Sequence, residues 1–329
     1  MNHSHMTAEK RSLSKKGLFI CLPFIALLFG SILFPSCTKE RTQAQTPATT
    51  PPPLGYTQSN TFYSQNQQQE QVFTVDSPGT GPIIGNMGTK LYPYANIFMF
   101  PNGANVTYPF TLKLIEVYPV KDIILSNMPT IAGGKILDSK AEIRARAFKG
   151  TTELVLRPGR KFNMETATRT NMLTGMIDFY GFPGSNFTDW TGTVSTLDPT
   201  INPDTLSLVT NFTSSYSMNI ARMGWVACAK LDNNTATTTS ISFTASGNNP
   251  QNIDVFLVFQ NIPCVMKAYN LTSGQIPIGT QLTMIAIAND ANNNLVYDKQ
   301  SITVAAGMTV TLNPVVTTSA NLLSVLSAL

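Results

Sequence analysis

Side-chain catalysis needs a nucleophile, a general acid or base, or a bound metal, and this chain of 329 residues is sparing with all three. Its two histidines, His3 and His5, stand at the extreme N-terminus, in a stretch expected to be removed on export. The remaining chain then lacks imidazole, which excludes Ser-His-Asp and Cys-His catalysis and every histidine-bearing zinc site. Carboxylates are the acid–base groups left. Glu116, Asp122, Asp138, Glu142, Glu153 and Asp178 are available for the pair that glycoside hydrolysis requires. No spacing singles out two of them, and as strand or loop residues they are expected on solvated faces. Asp290, Asn292, Asn294 and Asp298 stand at i, i+2, i+4 and i+8, echoing a calcium loop whose oxygen ligands alternate. Leu295 occupies the place of that loop's glycine and Ser301 that of its bidentate glutamate, so an asparagine-rich hairpin turn is the stronger expectation, and no metal is expected. Cys228 and Cys264 can form one disulfide or stand as two buried thiols, and their spacing does not decide. Tyr180, Phe182 and Trp190 lie in a Gly- and Pro-containing stretch that reads as an aromatic loop. Such rings either stack on a ligand or fold back to seal a sandwich edge. Phosphate-loop, dinucleotide and nucleophile-elbow signatures are missing from the sequence, so no cofactor and no enzymatic activity are expected.

The elements that must hold these residues read as strands. Glu142–Ala147 alternates, with Ile143, Ala145 and Ala147 on one face and charges on the other, and Ser240–Ala245 alternates in the same way. Val255–Phe259 and Met284–Ala288 are continuous apolar runs suited to strands covered on both faces. Ile302–Val304 and Met308–Leu312 flank Ala-Ala-Gly307 as a hairpin would. Closely spaced turn signals favour an all-β fold of two β-sandwiches in tandem over βαβ units. The expected boundaries are 80–170 for the first sandwich, 171–210 for a linker carrying the aromatic loop, and 211–316 for the second. Residues 317–329 read as a short helix capped by Ser319, with Leu322, Val325, Leu326 and Leu329 in one stripe that docks on the second sandwich. Trp225 is expected in the core near Cys228.

Composition explains how these sandwiches are delivered. Charged residues are only 12% of the chain, and Thr, Ser, Asn and Gln take their place. The formal charge of +4 is largely N-terminal: without Glu9, Lys10, Arg11, Lys15 and Lys16 the body is close to neutral and offers no basic footprint for nucleic acid. Residues 1–16 are polar and basic and 17–34 nearly all apolar, which is the layout of an export signal. The following Leu33-Phe34-Pro35-Ser36-Cys37 resembles a bacterial lipobox. That resemblance implies cleavage after residue 36 and diacylation of Cys37. Several acyl chains on one residue anchor stably. Thr38 after the cysteine favours the outer membrane by analogy, and Lys39-Glu40 resembles a surface-export tag, so the periplasmic face and the cell surface are both open. Residues 37–79 are rich in Pro, Thr and Gln, with Pro51-Pro52-Pro53 expected as polyproline, and are expected to form a disordered tether.

Over Gly85–Leu156 the runs "LYPYANIFMFPNGANV", "TLKLIEVYPVKDIILSNMPT" and "GGKILDSKAEIRARA" follow a glycine turn. This order resembles a β-sandwich module of Bacteroidetes surface lipoproteins, itself distantly similar to the ZU5 domain. "YSMNIARMGWVACAKLD" through "IPIGTQLTMIAIAND" resembles the module that often follows it, with Ala229 and Lys230 where that module's "GWINCDRF" carries Asp and Arg. The resemblance implies a lipid-anchored envelope protein whose partners are the membrane and a protein or a glycan, in a non-catalytic binding or structural role. A glycan-binding accessory and a carboxylate-dependent hydrolase are the alternatives.

Overall fold

The computed structural model describes residues 55–79, 81–168, 170–184, 188–192, 210–211, 214–232 and 234–329. The leader, Cys37 and Pro51–Pro53 lie outside them. The fold is all-β, with short helices at a few connections and a helix near the C-terminus.

The larger sheet takes its strands from both halves of the chain. Its six main strands are β1 (Gln71–Val75), β2 (Phe110–Val117), β3 (Lys135–Lys149), β4 (Ile177–Pro183), β5 (Thr188–Thr191) and β6 (Gly224–Leu231). They run antiparallel in the order β1-β2-β3-β6-β4-β5. The period-two reading of β3 holds: Ile143, Ala145 and Ala147 point inward with Leu112, Leu114, Val226 and Cys228. Against them packs a second sheet built from Lys90–Tyr92, Phe162–Glu165 and Tyr216–Ile220, which contributes Leu91, Phe162, Met164, Tyr216, Met218 and Ile220. Each such large side chain contributes ~1.5–3 kcal/mol when fully buried.

These pairings move the expected boundaries. β4 and β5 fall within the expected linker, and Tyr216–Ile220 and β6 within the expected second sandwich, yet all of them belong to the first. The linker reading rested on the Gly, Pro, Asp and Asn content and weak periodicity of 171–210, of which Gly181 and Pro183 are strand residues here. A Cβ at Gly181 would lie 2.9 Å from Trp190 Cζ3 and 3.0 Å from Trp225 Cβ. The glycine thus serves close packing inside a strand and not a loop. Trp225 itself is half-buried on the sheet face opposite Cys228, not in the core beside it.

The second sandwich starts after Asp232. Its main sheet contains β7 (Asp254–Phe259), β8 (Val265–Ala268), β9 (Gln281–Asn289), β10 (Leu295–Thr303) and β11 (Val315–Val316), in the order β8-β7-β9-β10-β11. Every residue of β7 is buried, as its apolar run predicts. One face of β7 and β9 packs Val255, Leu257, Met284 and Ala286 against Phe243, Val310 and Leu312 of the opposite layer. In that layer Ser242–Ala245 pairs with Thr309–Leu312 in parallel, so the expected hairpin at Ala-Ala-Gly307 does not form. Gly307 (φ +63°) turns the chain from β10 into the opposite layer instead of back along the same sheet.

The other face of β7 and β9 is covered by helices. Phe62 and Tyr63 of α1 (Asn60–Asn66), Ile123, Ile124 and Leu125 of α2 (Val120–Leu125), and Leu322 and Leu326 of α3 (Ser319–Ser327) cluster with Phe256, Val258, Ile285 and Ile287. The C-terminal stripe docks as expected, but its cap is Thr318, whose Oγ1 accepts from the Asn321 amide at 3.2 Å; Ser319 is the first helical residue.

The expected tether is also corrected over 55–79. Tyr56 N donates to Asn248 O at 3.0 Å, and Thr57 and Asn289 exchange backbone hydrogen bonds of 3.0 and 2.9 Å. The chain then forms α1 and continues into edge strand β1 of the first sandwich. Polar composition hid this because few apolar residues are needed: Tyr56, Phe62, Tyr63 and Val75 are all buried. This strap and α2 tie both sandwiches into one compact unit.

Candidate functional site

Few of the residues singled out from the sequence reach a shared surface. Trp190 is 1% exposed, with its indole Nε1 donating to Pro129 O at 2.8 Å. Tyr180 is buried, and its hydroxyl accepts from the Ala221 amide at 2.9 Å. Phe182 is half-buried beneath the Arg222 guanidinium, 4.2 Å from the ring centroid. The ligand-contact reading therefore fails for Tyr180 and Trp190, because rings consumed by the core have no face left to stack on a ligand.

The cysteines are both buried free thiols. Cys228 lies in the core of the first sandwich and Cys264 in that of the second, so no disulfide joins them. Cys264 Sγ donates to Thr130 O at 3.5 Å, and burial pushes its thiol up to about 12.

Each acidic residue of the calcium-like run is satisfied locally. Asp290 Oδ1 accepts from the Asn292 and Asn294 amides at 2.9 and 2.8 Å, and Asp298 Oδ2 accepts from the Asn313 amide at 2.8 Å. Burial raises the Asp290 carboxyl, but the hydrogen bonds from Asn294 and Asn292 outweigh it and hold the group below its ordinary value. This is the turn that the sequence favoured over a metal loop. Among the described residues no group of three or more Cys, Asp or Glu side chains is placed to hold a metal.

The six carboxylates stand in different surroundings. Glu116, 1% exposed, accepts from the amides of Met87 and Thr89 at 2.9 Å each and from Gln71 Nε2 at 2.8 Å, fastening the 85–89 turn to β2. Asp122 accepts from Gln68 Nε2 at 2.8 Å, and Asp138 pairs with Lys140 at 2.8 Å. Glu153 forms a two-pronged contact with Arg146 at 2.8 and 2.6 Å, which lowers its pKa. Asp178 is buried opposite Cys228. Strands β3 and β6 separate it from Glu116, a span of ~14 Å at three strand spacings. Four of the six, Glu116, Asp122, Asp178 and Glu142, are buried and overturn the expectation of solvated charges; Glu142 is the extreme case. It is 1% exposed and accepts no hydrogen bond from a protein group. Burial pushes its carboxyl well above the usual carboxylate range.

The residues that do converge were not evident from spacing. A cleft of about 450 Å³ forms where α1, the loop after α2, the end of β4 and the margin of the second sandwich meet. Its charged pair is Asp254 of β7 and Lys267 of β8, which join at 2.7 Å with side chains only 12% and 13% exposed. Lys267 Nζ also donates to Asn127 Oδ1 at 2.9 Å. Tyr63 lies alongside, its hydroxyl shielded from solvent and without a partner of good hydrogen-bond geometry. Burial and the neighbouring Asp254 charge keep that phenol protonated. Around them stand Gln58, Asn60, Gln251, Asn252 and Asn270. Tyr269 completes the wall, its hydroxyl accepting from the Thr188 amide at 2.9 Å.

Such an arrangement can bind but is poorly furnished for proton transfer. Asp254 is the one carboxylate lining the cleft among the described residues, and its charge is spent on Lys267. The only signal in the sequence was an acid opening an apolar strand, Asp254, and a lysine inside another, Lys267. Their pairing is non-local and invisible to spacing. No family model, no curated protein and no solved structure matches this chain.

Proposed function

We propose that this protein is a lipid-anchored component of the bacterial outer envelope with a non-catalytic binding role. Two sequence features support the anchor: the charged and apolar leader, and the lipobox-like Leu33–Cys37. The observation that carries the binding role is the cleft itself. Its volume falls in the range of ligand sites, about 300–1,000 Å³, and its walls supply hydrogen-bonding groups while its one carboxylate is neutralised by Lys267. General acid–base hydrolysis would need two carboxyl groups facing a common cleft. Among the described residues, the cleft lined by Ile136, Asn234 and Phe259 likewise presents a single acid, Asp232.

The test joins both halves. Wild-type protein should sediment with membranes and resist carbonate washing, whereas Cys37→Ala should appear in the soluble fraction. Purified protein should release no product from a panel of glycoside, ester and peptide substrates. Membrane retention of Cys37→Ala overturns the anchor, and sustained turnover overturns the non-catalytic role.

A further inference from the structure

We infer that the cleft around Asp254 and Lys267 is a binding site for a neutral oligosaccharide. The inference rests on the binding role proposed above and deepens it by naming the ligand class.

Three observations carry it. The first is charge. The buried acid and base cancel at 2.7 Å, so the cleft offers polarity without a net field. An anionic or cationic ligand would have to displace one member of a desolvated pair, and breaking such a pair is strongly unfavourable. A polyhydroxylated neutral ligand meets no such barrier.

The second is the chemistry of the rim. Gln58, Asn60, Gln251 and Asn270 are exposed amides from three separate chain segments. A carboxamide both donates and accepts, which matches the paired donor and acceptor character of sugar hydroxyls. The half-buried ring of Tyr269 sits among them with Lys267 Nζ 5.9 Å from its centroid. The buried Tyr63 hydroxyl lies beside Asp254 in the same wall.

The third is backbone conformation. Six non-glycine residues among those described have left-handed backbone, and three of them, Asn127, Asn270 and Leu271, line this one cleft. Tyr269 and Thr272 exchange hydrogen bonds of 3.0 Å across a tight turn whose central residues, Asn270 and Leu271, have φ of +50° and +57°. Glycine is favoured at the second of these positions. Leucine there holds strain of order 1 kcal/mol or more, and its carbonyl is fixed by the Phe243 amide at 2.8 Å. The turn is thus held in one shape, and it presents the Asn270 amide to the cleft.

The test uses the full chain purified in detergent micelles. An array carrying cellohexaose, mannohexaose, xylohexaose and chitohexaose, with oligogalacturonate and heparin fragments as anionic counterparts, is followed by calorimetric titration of the best binder. We expect at least one neutral series to bind and the anionic series not to bind. Asn60→Ala and Gln251→Ala remove exposed amides without touching a core and should each weaken binding about three- to tenfold, the equivalent of one hydrogen bond. Tyr63→Phe removes the hydroxyl that flanks Asp254 in the cleft wall and should also weaken binding. Binding of an anionic series with the same variant sensitivity, or of none of the sugars, overturns the ligand class and leaves the binding role standing. Neutral-sugar affinity that is unchanged in all three variants overturns the site. Cleavage of a bound sugar overturns the non-catalytic role instead.

Discussion

Replacing Glu142 by glutamine should stabilise the protein, and more so as pH rises. Glu142 lies on β3 with Val117 and Ala227 as its cross-strand neighbours, under the apolar clusters built around α2 and Met128. Its carboxyl is fully buried, accepts no hydrogen bond from a protein group, and is pushed well above the usual carboxylate range by burial. The sign follows from proton counting. Above the ordinary glutamate pKa the unfolded chain has released this proton while the folded protein keeps it, so rising pH favours unfolding until the folded group also ionises. The limiting slope is ~1.4 kcal/mol per pH unit. Between pH 5 and pH 7 the wild type should therefore lose up to ~2.7 kcal/mol relative to Glu142→Gln. For a body of this size that corresponds to roughly 5–10 °C in melting temperature. Denaturant unfolding of both proteins at half-unit pH steps gives the difference directly, and the other titrating groups cancel in it. A wild-type-minus-variant difference that stays flat from pH 5 to pH 8 would show that Glu142 is charged or well paired in the fold, and the reasoning fails.

Other substitutions test other parts of the structure. Gly85→Ala would place a Cβ 2.5 Å from both Glu116 Oε2 and Leu114 Cδ2, so it should cost ~1–3 kcal/mol by overpacking, measured by chemical denaturation. Leu326→Ala empties a fully buried position of α3 and should cost ~2–5 kcal/mol, while Thr318→Ala removes only the cap and should cost ~1 kcal/mol; equal effects would contradict the docking of α3. Cys228 and Cys264, both 0% exposed, should react with a maleimide only on unfolding, and non-reduced mass analysis should show two free thiols. Rapid labelling of the native protein would contradict their burial.

Local patterns in the sequence were legible where they were strong and regular. The all-inward run of β7, the alternation of β3 and the C-terminal stripe follow from periodicity alone, because each buries against whatever layer lies opposite. Pairing is different. Nothing near Gly224–Leu231 records that β6 lies between β3 and β4, since that choice is made by contacts between residues as far apart as Cys228 and Ala141 on one side and Cys228 and Asp178 on the other. The strap at 55–79 was missed because averaging over a Gln- and Asn-rich window dilutes Tyr56, Phe62 and Tyr63, which are few but all buried. The charged face of β3 was misread for a related reason. Alternation tells which residues share a face, and it cannot tell that α2 and the second sandwich cover the face bearing Glu142. The cleft combines all three difficulties, joining the strap, a sheet margin and a loop from the other sandwich.

The intact mass of the protein extracted from bacterial membranes puts the envelope role to its most direct test. A chain that begins at Cys37, lacks residues 1–36 and carries the added mass of a diacylglyceryl group is the predicted species. A chain that retains the leader, or one cut elsewhere with an unmodified N-terminus, would contradict lipid anchoring and with it the proposed place of this protein in the cell.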